Sequence, residues 1–469
     1  MYLYNTLSGK KEEVVPINGK TISFYACGPT VYDFTHIGHI RSYIYNDIIR
    51  RSFPYLGMPI KHVMNVTDVG HLSDDADSGE DKMEKGARKY GKTVWDLARF
   101  YTDFFFSTMD QVNNLRPDVV AKATEHIPEM IDLITILVEK KFAYETEEAL
   151  YFDVQKFAGY GKLSHQPLGE KLKGVREEVY VDPQKKHPAD FALWFKRVGR
   201  FKDHTMYWQS PWGDGFPGWH IECSAMSMKY LGKTIDLHSG GIDHIPVHHE
   251  NEIAQSEAAN GVPFVKHWTH FYFLQVDGKK MSKSLGNFYT IDDVKKHNIH
   301  PLALRFLFLQ AHYRQLLNFT WQAAEGANEA YLKLKKLVLG LDTIVPKNKD
   351  LSVQAQAYKK TFKDAIADDL QLPIAIATLW TMLKDNQINN FEKRTLVADF
   401  DQVLGLDLLK ENNTVNTIPK EVQELAEQRK QAKQEKQYAK ADDLRKRIEE
   451  KGYKVEDTKE GYVIQPATL

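Results

Sequence analysis

Thr21-Ile-Ser-Phe-Tyr-Ala26, the stop Cys27-Gly28-Pro29, a run carrying Ile37, Ile40, Ile44 and Ile48, and then Pro59-Ile-Lys-His-Val-Met64 make up the stretch that decides the fold. The first six residues read as a buried strand, which Cys27-Gly28-Pro29 ends. Isoleucines spaced by three and four predict a helix. Phe53-Pro54 is expected to end it, because proline disfavours the helical conformation of the residue before it. Pro59 to Met64 reads as a second strand. Strand, helix and strand make a βαβ unit, which crosses over right-handed and takes its ligand at the carboxyl ends of the strands. Residues 27–39 occupy that end.

Working outward, Thr93 to Lys140 is helical in pattern, and Tyr151 to Lys202 is irregular, rich in glycine, proline and charge. That segment reads as an insertion between two halves of one parallel sheet. Ile221 to Leu231 has helical spacing, Thr234 to Leu237 reads as a short strand, and Gly240-Gly241 turns the chain into a helix from about Pro246 that Asn260-Gly261 stops. Phe271 to Val276 reads as a strand closed by Asp277-Gly278, a strong hairpin signal. Beyond Pro301 the period is helical, with Ala327–Leu341, Pro373–Leu383 and Phe391–Leu404 as bundle helices. A linker is expected from Asn412 to Pro419, then a charged helix from Val422 to Lys451 ending at Gly452, and two short strands, Tyr453–Val455 and Tyr462–Gln465. The predicted class is α/β: a Rossmann-like parallel sheet split by an insertion, then an α-helical bundle and a small C-terminal domain.

The chain has 469 residues, a net charge of −1 and two cysteines. At roughly 150 residues per domain this is about three domains. Two cysteines cannot build a disulfide framework, which excludes a small secreted scaffold and points to a reducing compartment. No apolar run, Leu133–Val138 included, approaches the ~20 residues a bilayer requires, and Met1–Thr6 lacks the pattern of a leader. A soluble, cytoplasmic protein without membrane partners is therefore expected. The balanced charge leaves nucleic acid open, since a basic face can sit inside a neutral total.

Three constellations carry chemistry. His36-Ile37-Gly38-His39 puts two imidazoles on the first turn of the predicted helix, where dipole and unpaired N–H groups attract phosphate; Gly38 leaves room for close approach. Lys279-Lys280-Met281-Ser282-Lys283-Ser284 follows the Asp277-Gly278 turn, and mobile ammonium groups suit the charge developing on a polyphosphate. Lastly, Cys27, Cys223 and the pair His248 and Glu252, four apart on one helix face, could hold one metal ion, for which zinc is the natural occupant. The alternative for the thiols is a pair of inert, buried small hydrophobes.

Taken together, these residues resemble the class I aminoacyl-tRNA synthetases and, within them, the cysteinyl-tRNA synthetases. His36–His39 stands as the HIGH motif and Lys280–Ser284 as the KMSKS motif. The subtype rests on Ala26–Tyr32, Gly218–Met226 and His248–Ser256. The resemblance implies a catalytic domain in two halves (1–115 and 204–270) around a connective insertion (116–203), a stem-contact region with the KMSKS loop (271–310), a tRNA-binding helical bundle (311–411) and a small anticodon-binding domain (418–469). It implies one Zn²⁺ on Cys27, Cys223, His248 and Glu252, coordinating the thiolate of L-cysteine and rejecting serine. Four protein ligands describe a closed site, so substrate binding would need a fifth position or a loosely held Glu252. Trp219 matches the residue closing the side-chain pocket; His238 and Thr67, with Asp68 beside it, match positions near substrate, and Asp243 near adenosine. After Asn65–Val69 the chain departs from its relatives with an acidic stretch, residues 70–82, expected to be a solvated loop.

The implied reaction is attack of the cysteine carboxylate on the α-phosphate of ATP, then transfer to the terminal adenosine of tRNA(Cys). His36, Gly38, His39, Asp243, Lys280 and Lys283 would bind ATP, with Mg²⁺; His36, His39, Lys280 and Lys283 would be catalytic, and the protein a monomer. Arg445, Lys446 and Arg447 are candidate tRNA phosphate contacts. A related ligase joining cysteine to an amino sugar would not need the helical half, and a non-catalytic zinc scaffold would not need the lysine loop.

Overall fold

The computed structural model describes residues 1–70, 72, 81–166, 182–282, 285–341, 350–411, 420–435, 437–451, 453–458 and 461–466. Lys283, Ser284, most of the acidic stretch and the whole expected linker lie outside the described residues. The chain forms two compact units, Met1–Asp407 and Leu408–Leu469.

The first unit is built on β1 (Ile22–Ala26), α1 (Ile37–Tyr55), β2 (Ile60–Val66), β3 (Val119–Lys122), α2 (Ile127–Glu139), α3 (Trp219–Leu231), β4 (Ile235–Gly241), α4 (His248–Asn260) and β5 (Val265–Phe271). The five strands form one parallel sheet in the order β5-β4-β1-β2-β3, with Phe24 opposite both His62 and Leu237. The chain winds outward from β1 in both directions. The strand order therefore reverses between β1 and β4, and in open parallel sheets ligands bind at such a switch point.

Each strand is buried because helices cover the sheet. On one face Ile127, Met130 and Ile134 of α2, Ile221 and Met226 of α3, and Ala254 and Ala258 of α4 share a core. α4 ends at Gly261, whose φ of 70° supplies the left-handed cap that Asn260-Gly261 predicted. α1 carries Pro54 inside its last turn and runs to Tyr55, one residue further than expected. Where Thr93–Lys140 read as helical throughout, the helix Val94–Gln111 stops, and β3 pairs with β2 before α2 begins. Pro117 and the β-branched Val119-Val120 were the overlooked signals.

The inserted segment is also less irregular than its composition suggests. Ala143–Glu145, Ala149–Phe152, Phe191–Lys196 and Gly215–Pro217 form an antiparallel sheet in that order. Glu250 of α4 anchors the insertion by accepting the N–H groups of Gly161 (2.9 Å) and Ser164 (3.0 Å). A smaller three-stranded sheet follows β5: Leu274–Val276 pairs antiparallel with Lys279–Lys280 and parallel with Leu317–Phe319. Asp277 and Gly278 turn the hairpin with φ of 49° and 72°.

The helices Pro301–Leu309, Trp321–Leu339, Val353–Ala367, Leu372–Lys384 and Asn390–Leu404 make the bundle; the third of them was not anticipated. Asp47 of α1 joins it to the sheet, accepting from Arg305 Nη2 (2.5 Å) and Arg51 Nε (2.7 Å). In the second unit, Lys420–Gln434 and Tyr438–Glu450 are two helices where one was expected, packed with the antiparallel pair Tyr453–Thr458 and Gly461–Pro466 around Leu425, Leu444 and Ile448. Arg445, Lys446 and Arg447 are exposed there, with Arg445 paired to Glu449 at 3.3 Å. Among the described residues no helix is long and apolar enough to cross a membrane.

Candidate active site

Cys27 stands just past the carboxyl end of β1, Cys223 lies on α3, and His248 and Glu252 lie one turn apart on α4. All four are buried, and one ligand atom from each lies within 4.8 Å of every other. His248 Nε2 and Glu252 Oε1 are 3.0 Å apart, with Cys27 Sγ 4.0 Å from the same oxygen. His220 and His248 share a hydrogen bond between their Nδ1 atoms at 2.9 Å, which fixes the ring so that Nε2 faces the cluster. Two thiols, an imidazole and a carboxylate, held this close and out of water, fit a metal ion.

The charges in this cluster compensate one another. Burial acts to lower the pKa of His248, but Glu252 and Cys223 beside it push it up to about 10. Burial acts upward on Cys223 and Glu252; the Cys27 hydrogen bond and His248 bring Cys223 down to about 6, and His238 and His248 bring Glu252 down to about 2. Burial, with Cys223 beside it, pushes the Cys27 thiol well above its ordinary range.

Above the cluster two cavities adjoin. One of about 310 Å³ is lined by Cys27, Tyr32, His36, Trp219 and Asp243. The other, about 340 Å³, shares His36, His39 and Asp243 with it and reaches Lys280 and Met281. Trp219 stacks on His248 with ring centroids 4.1 Å apart, so one wall of the first cavity rests on this cluster.

His36 caps α1. Its Nδ1 accepts the N–H groups of Gly38 (3.1 Å) and His39 (3.3 Å). Burial and the neighbouring His39 hold the ring well below its usual pKa, so it is neutral with its proton on Nε2. The expectation that free N–H groups of this turn receive phosphate is corrected: Ile37 N–H donates to Tyr289 O at 2.9 Å and Ile40 N–H to His36 O at 3.0 Å, which leaves none unpaired. The donors offered to the cavities are the imidazoles, stacked at 3.6 Å between centroids. Gly38 lies beneath them, and a Cβ there would stand 3.0 Å from the His36 ring, which would have to give way.

Lys280 is exposed at the end of the hairpin. Asn287 ties the loop that follows, donating to Lys280 O at 3.2 Å and accepting from Ser282 N–H at 2.8 Å. Thr290 then bridges back to His36. The lysine hairpin and the histidine turn are thus fastened at both ends, and Lys283 and Ser284 between them lie outside the described residues.

The tRNA synthetases class I (C) catalytic domain matches residues 13–329. The chain is 42% identical to the cysteine–tRNA ligase of Treponema denticola, with 97% of each chain covered, and 42% identical to cysteine–tRNA ligase 1 of Burkholderia lata, covering 98% of this chain and 95% of that one. It belongs to the class I cysteine–tRNA ligases. A methionyl-tRNA synthetase of Mycobacterium tuberculosis in complex with methionyl-adenylate shares the fold at a TM-score of 0.56 and 16% identity, covering 82% of this chain and 90% of that one. A LeuRS–tRNA–LeuAMS complex from Agrobacterium radiobacter does so at 0.57 and 12%, covering 83% and 84%.

Within this cysteine–tRNA ligase family member, two residues matched to substrate lie one layer lower. His238 is fully buried and its Nε2 meets Glu252 Oε2 at 3.0 Å. Thr67 is also buried and donates to Glu222 Oε2 at 2.7 Å. Asp68 accepts from Thr124 through N–H (2.9 Å) and Oγ1 (2.7 Å). Sequence reasoning missed Glu222, whose burial pushes its carboxyl far above the usual range. It also missed His249, 3.2 Å from Cys27 Sγ, which with His238 makes a second close set on Cys27 and Glu252. The adjacent histidines in His248-His249-Glu250 were the signal for the latter.

Proposed function

We propose that this chain activates L-cysteine with ATP, releasing pyrophosphate, and transfers the cysteinyl group from the adenylate to the terminal adenosine of tRNA(Cys). One observation carries the reading: a thiol, imidazole and carboxylate cluster lies under a cavity that adjoins a second one lined by His36, His39, Asp243 and Lys280. Zinc held by Cys27, Cys223, His248 and Glu252 supplies a thiophilic seat that a sulfhydryl fills and a serine hydroxyl does not.

The chain's own groups do the rest by position and charge, as phosphoryl chemistry of this kind requires. His36 donates from Nε2 to phosphate oxygens, its other nitrogen being occupied by the helix cap. His39 acts beside it. Lys280 and Lys283 neutralise the departing pyrophosphate, Mg²⁺ accompanies ATP, and Asp243 faces the adenosine. Trp219 closes the side-chain pocket, while His238 steers Glu252 and Thr67 steers Glu222 from below. The bundle and the exposed Arg445, Lys446 and Arg447 contact tRNA, and the protein acts in the cytoplasm as a monomer.

The test is exchange of labelled pyrophosphate into ATP, expected with cysteine and not with serine, followed by charging of tRNA(Cys). Absence of cysteine-dependent exchange overturns the reading. A Lys283→Ala protein exchanging as fast as the parent removes Lys283 from the mechanism.

A further inference from the structure

Among the described residues Arg41, 1% exposed, has one of the largest fully buried side chains, and burial and Tyr45, with no carboxylate, are what act on its charge. Its guanidinium instead donates to four backbone carbonyls: Nη1 to Tyr272 (2.7 Å) and Phe273 (2.8 Å), Nη2 to His312 (3.3 Å) and Gln315 (2.7 Å). Its Nε has no partner. Burying a cation without an anion is costly, and apolar groups of similar volume usually replace buried ions without loss of stability. What apolar packing cannot do is fix four carbonyls in one plane, and a planar fork of donors can.

The four carbonyls are not scattered. Tyr272 and Phe273 lie immediately before the strand Leu274–Val276, and His312 and Gln315 shortly before its parallel neighbour Leu317–Phe319. Arg41 therefore grips the roots of both parallel strands of the small sheet whose third strand carries Lys280. Arg41 itself sits two residues after His39 on α1. Tyr45, one turn further along the same stripe, extends the grip by donating to Phe308 O (2.8 Å) and Ala311 O (2.9 Å).

We propose that Arg41 is a positioning residue for the adenylation step: it holds the small sheet so that Lys280 faces the cavity that His36 and His39 enter. This rests on the assignment of Lys280 to the pyrophosphate-releasing step. Arg41 touches neither cavity, so its effect on the reaction runs through the sheet.

The experiment is a double-mutant cycle in cysteine-dependent pyrophosphate exchange, using the full-length metal-loaded protein with Arg41→Lys, Lys280→Ala and both. Lysine keeps the charge and loses the fork. Arg41→Lys is expected to lower kcat about 30-fold or more, with KM for cysteine and the metal-to-protein ratio within twofold of the parent. On the Lys280→Ala background the same change is expected to cost less than threefold. Equal cost on both backgrounds, the pattern of a merely structural residue, overturns the proposal, as does a kcat for Arg41→Lys within threefold of the parent. If Lys280→Ala alone leaves exchange unchanged, the assignment of Lys280 falls and this proposal falls with it. Should Arg41→Lys fold poorly, Tyr45→Phe tests the same grip, with a smaller loss expected on the parent background and none on Lys280→Ala; equal losses on both overturn the proposal.

Discussion

The Nδ1 atom of His36 accepts the amide proton of Gly38 at 3.1 Å, so one imidazole both caps a helix and faces the cavity that reaches Lys280. The two roles separate by mutation. His36→Asn keeps a side chain that caps well and loses the Nε2 donor; exchange is expected to fall about 10²–10³-fold, the loss typical of one such donor, with the thermal midpoint nearly unchanged. Gly38→Ala is expected to gain little stability, because Gly38 lies in the first turn rather than the helix interior and its new Cβ crowds the ring that caps α1. It should still lose activity, because its Cβ displaces the His36 ring. A fully active Gly38→Ala protein would show that the ring has room.

Metal content is expected to answer to a residue outside the set of Cys27, Cys223, His248 and Glu252. His238 Nε2 holds Glu252 Oε2 at 3.0 Å, leaving Oε1 for the cluster. Removing such an outer partner typically costs 10–100-fold in affinity. His238→Leu is therefore expected to weaken zinc binding by about that factor in competition against a chromophoric chelator. Stripping the metal from the parent should abolish cysteine-dependent exchange and restore it on re-addition. Unchanged affinity in the variant would mean that Glu252 needs no steering.

Asp47 is the shared counter-charge of Arg51 and Arg305, and it also accepts the N–H of Leu115 at 2.8 Å. Asp47→Ala leaves a fully buried guanidinium unpaired, which typically costs about 3–5 kcal/mol. Urea unfolding should register a loss of that size. A loss under 1 kcal/mol would indicate that the carbonyls of Leu404 and Val112, which also receive Arg305, suffice.

His62 gives the sheet a pH dependence. It stacks on Phe24 at 4.7 Å, neither ring nitrogen has a hydrogen-bond partner among the described residues, and burial, reinforced by Arg50, pushes it down to about 3. The unfolded chain binds the proton that the folded one refuses. The contribution to stability is therefore complete above about pH 6.5 and declines as the pH falls towards 3. At pH 5.5 the decline is about 1.4 kcal/mol. His62→Leu should shrink the difference in unfolding free energy between pH 8 and pH 5.5 by that amount, and an identical difference in both proteins would assign the acid sensitivity elsewhere.

The parts of the site legible in the sequence were those set by local chemistry. Ile37, Ile40, Ile44 and Ile48 could only face a core from a helix, and Asp277-Gly278 could only turn a hairpin. The neighbourhood of Cys27, Cys223, His248 and Glu252 was legible as residue types but not as a position, because spacing within α4 does not say which strand end it meets. Two elements failed for different reasons: β3 offers only four residues, too few to outweigh the helical pattern around it, and the Gln- and Lys-rich face of Val353–Ala367 hid its apolar stripe of Ala355, Phe362 and Ile366. Arg41 and Glu222 were invisible for another reason. Charged residues are ordinarily exposed, and nothing in one dimension tells the buried exception from the rule.

Cys27 and Glu252 stand 4.0 Å apart at 225 residues' separation. At about 5–20 residues per second the first of them leaves the ribosome roughly 10–45 s before the other exists. For most of that interval Cys27 is the one member of the four already made, since Cys223 follows only 196 residues later, so the nascent chain does not yet hold the full set. A metal ion held by all four would therefore report that the end of β1 and the helices α3 and α4 have come together, and its stoichiometry in a preparation would count the chains in which they have.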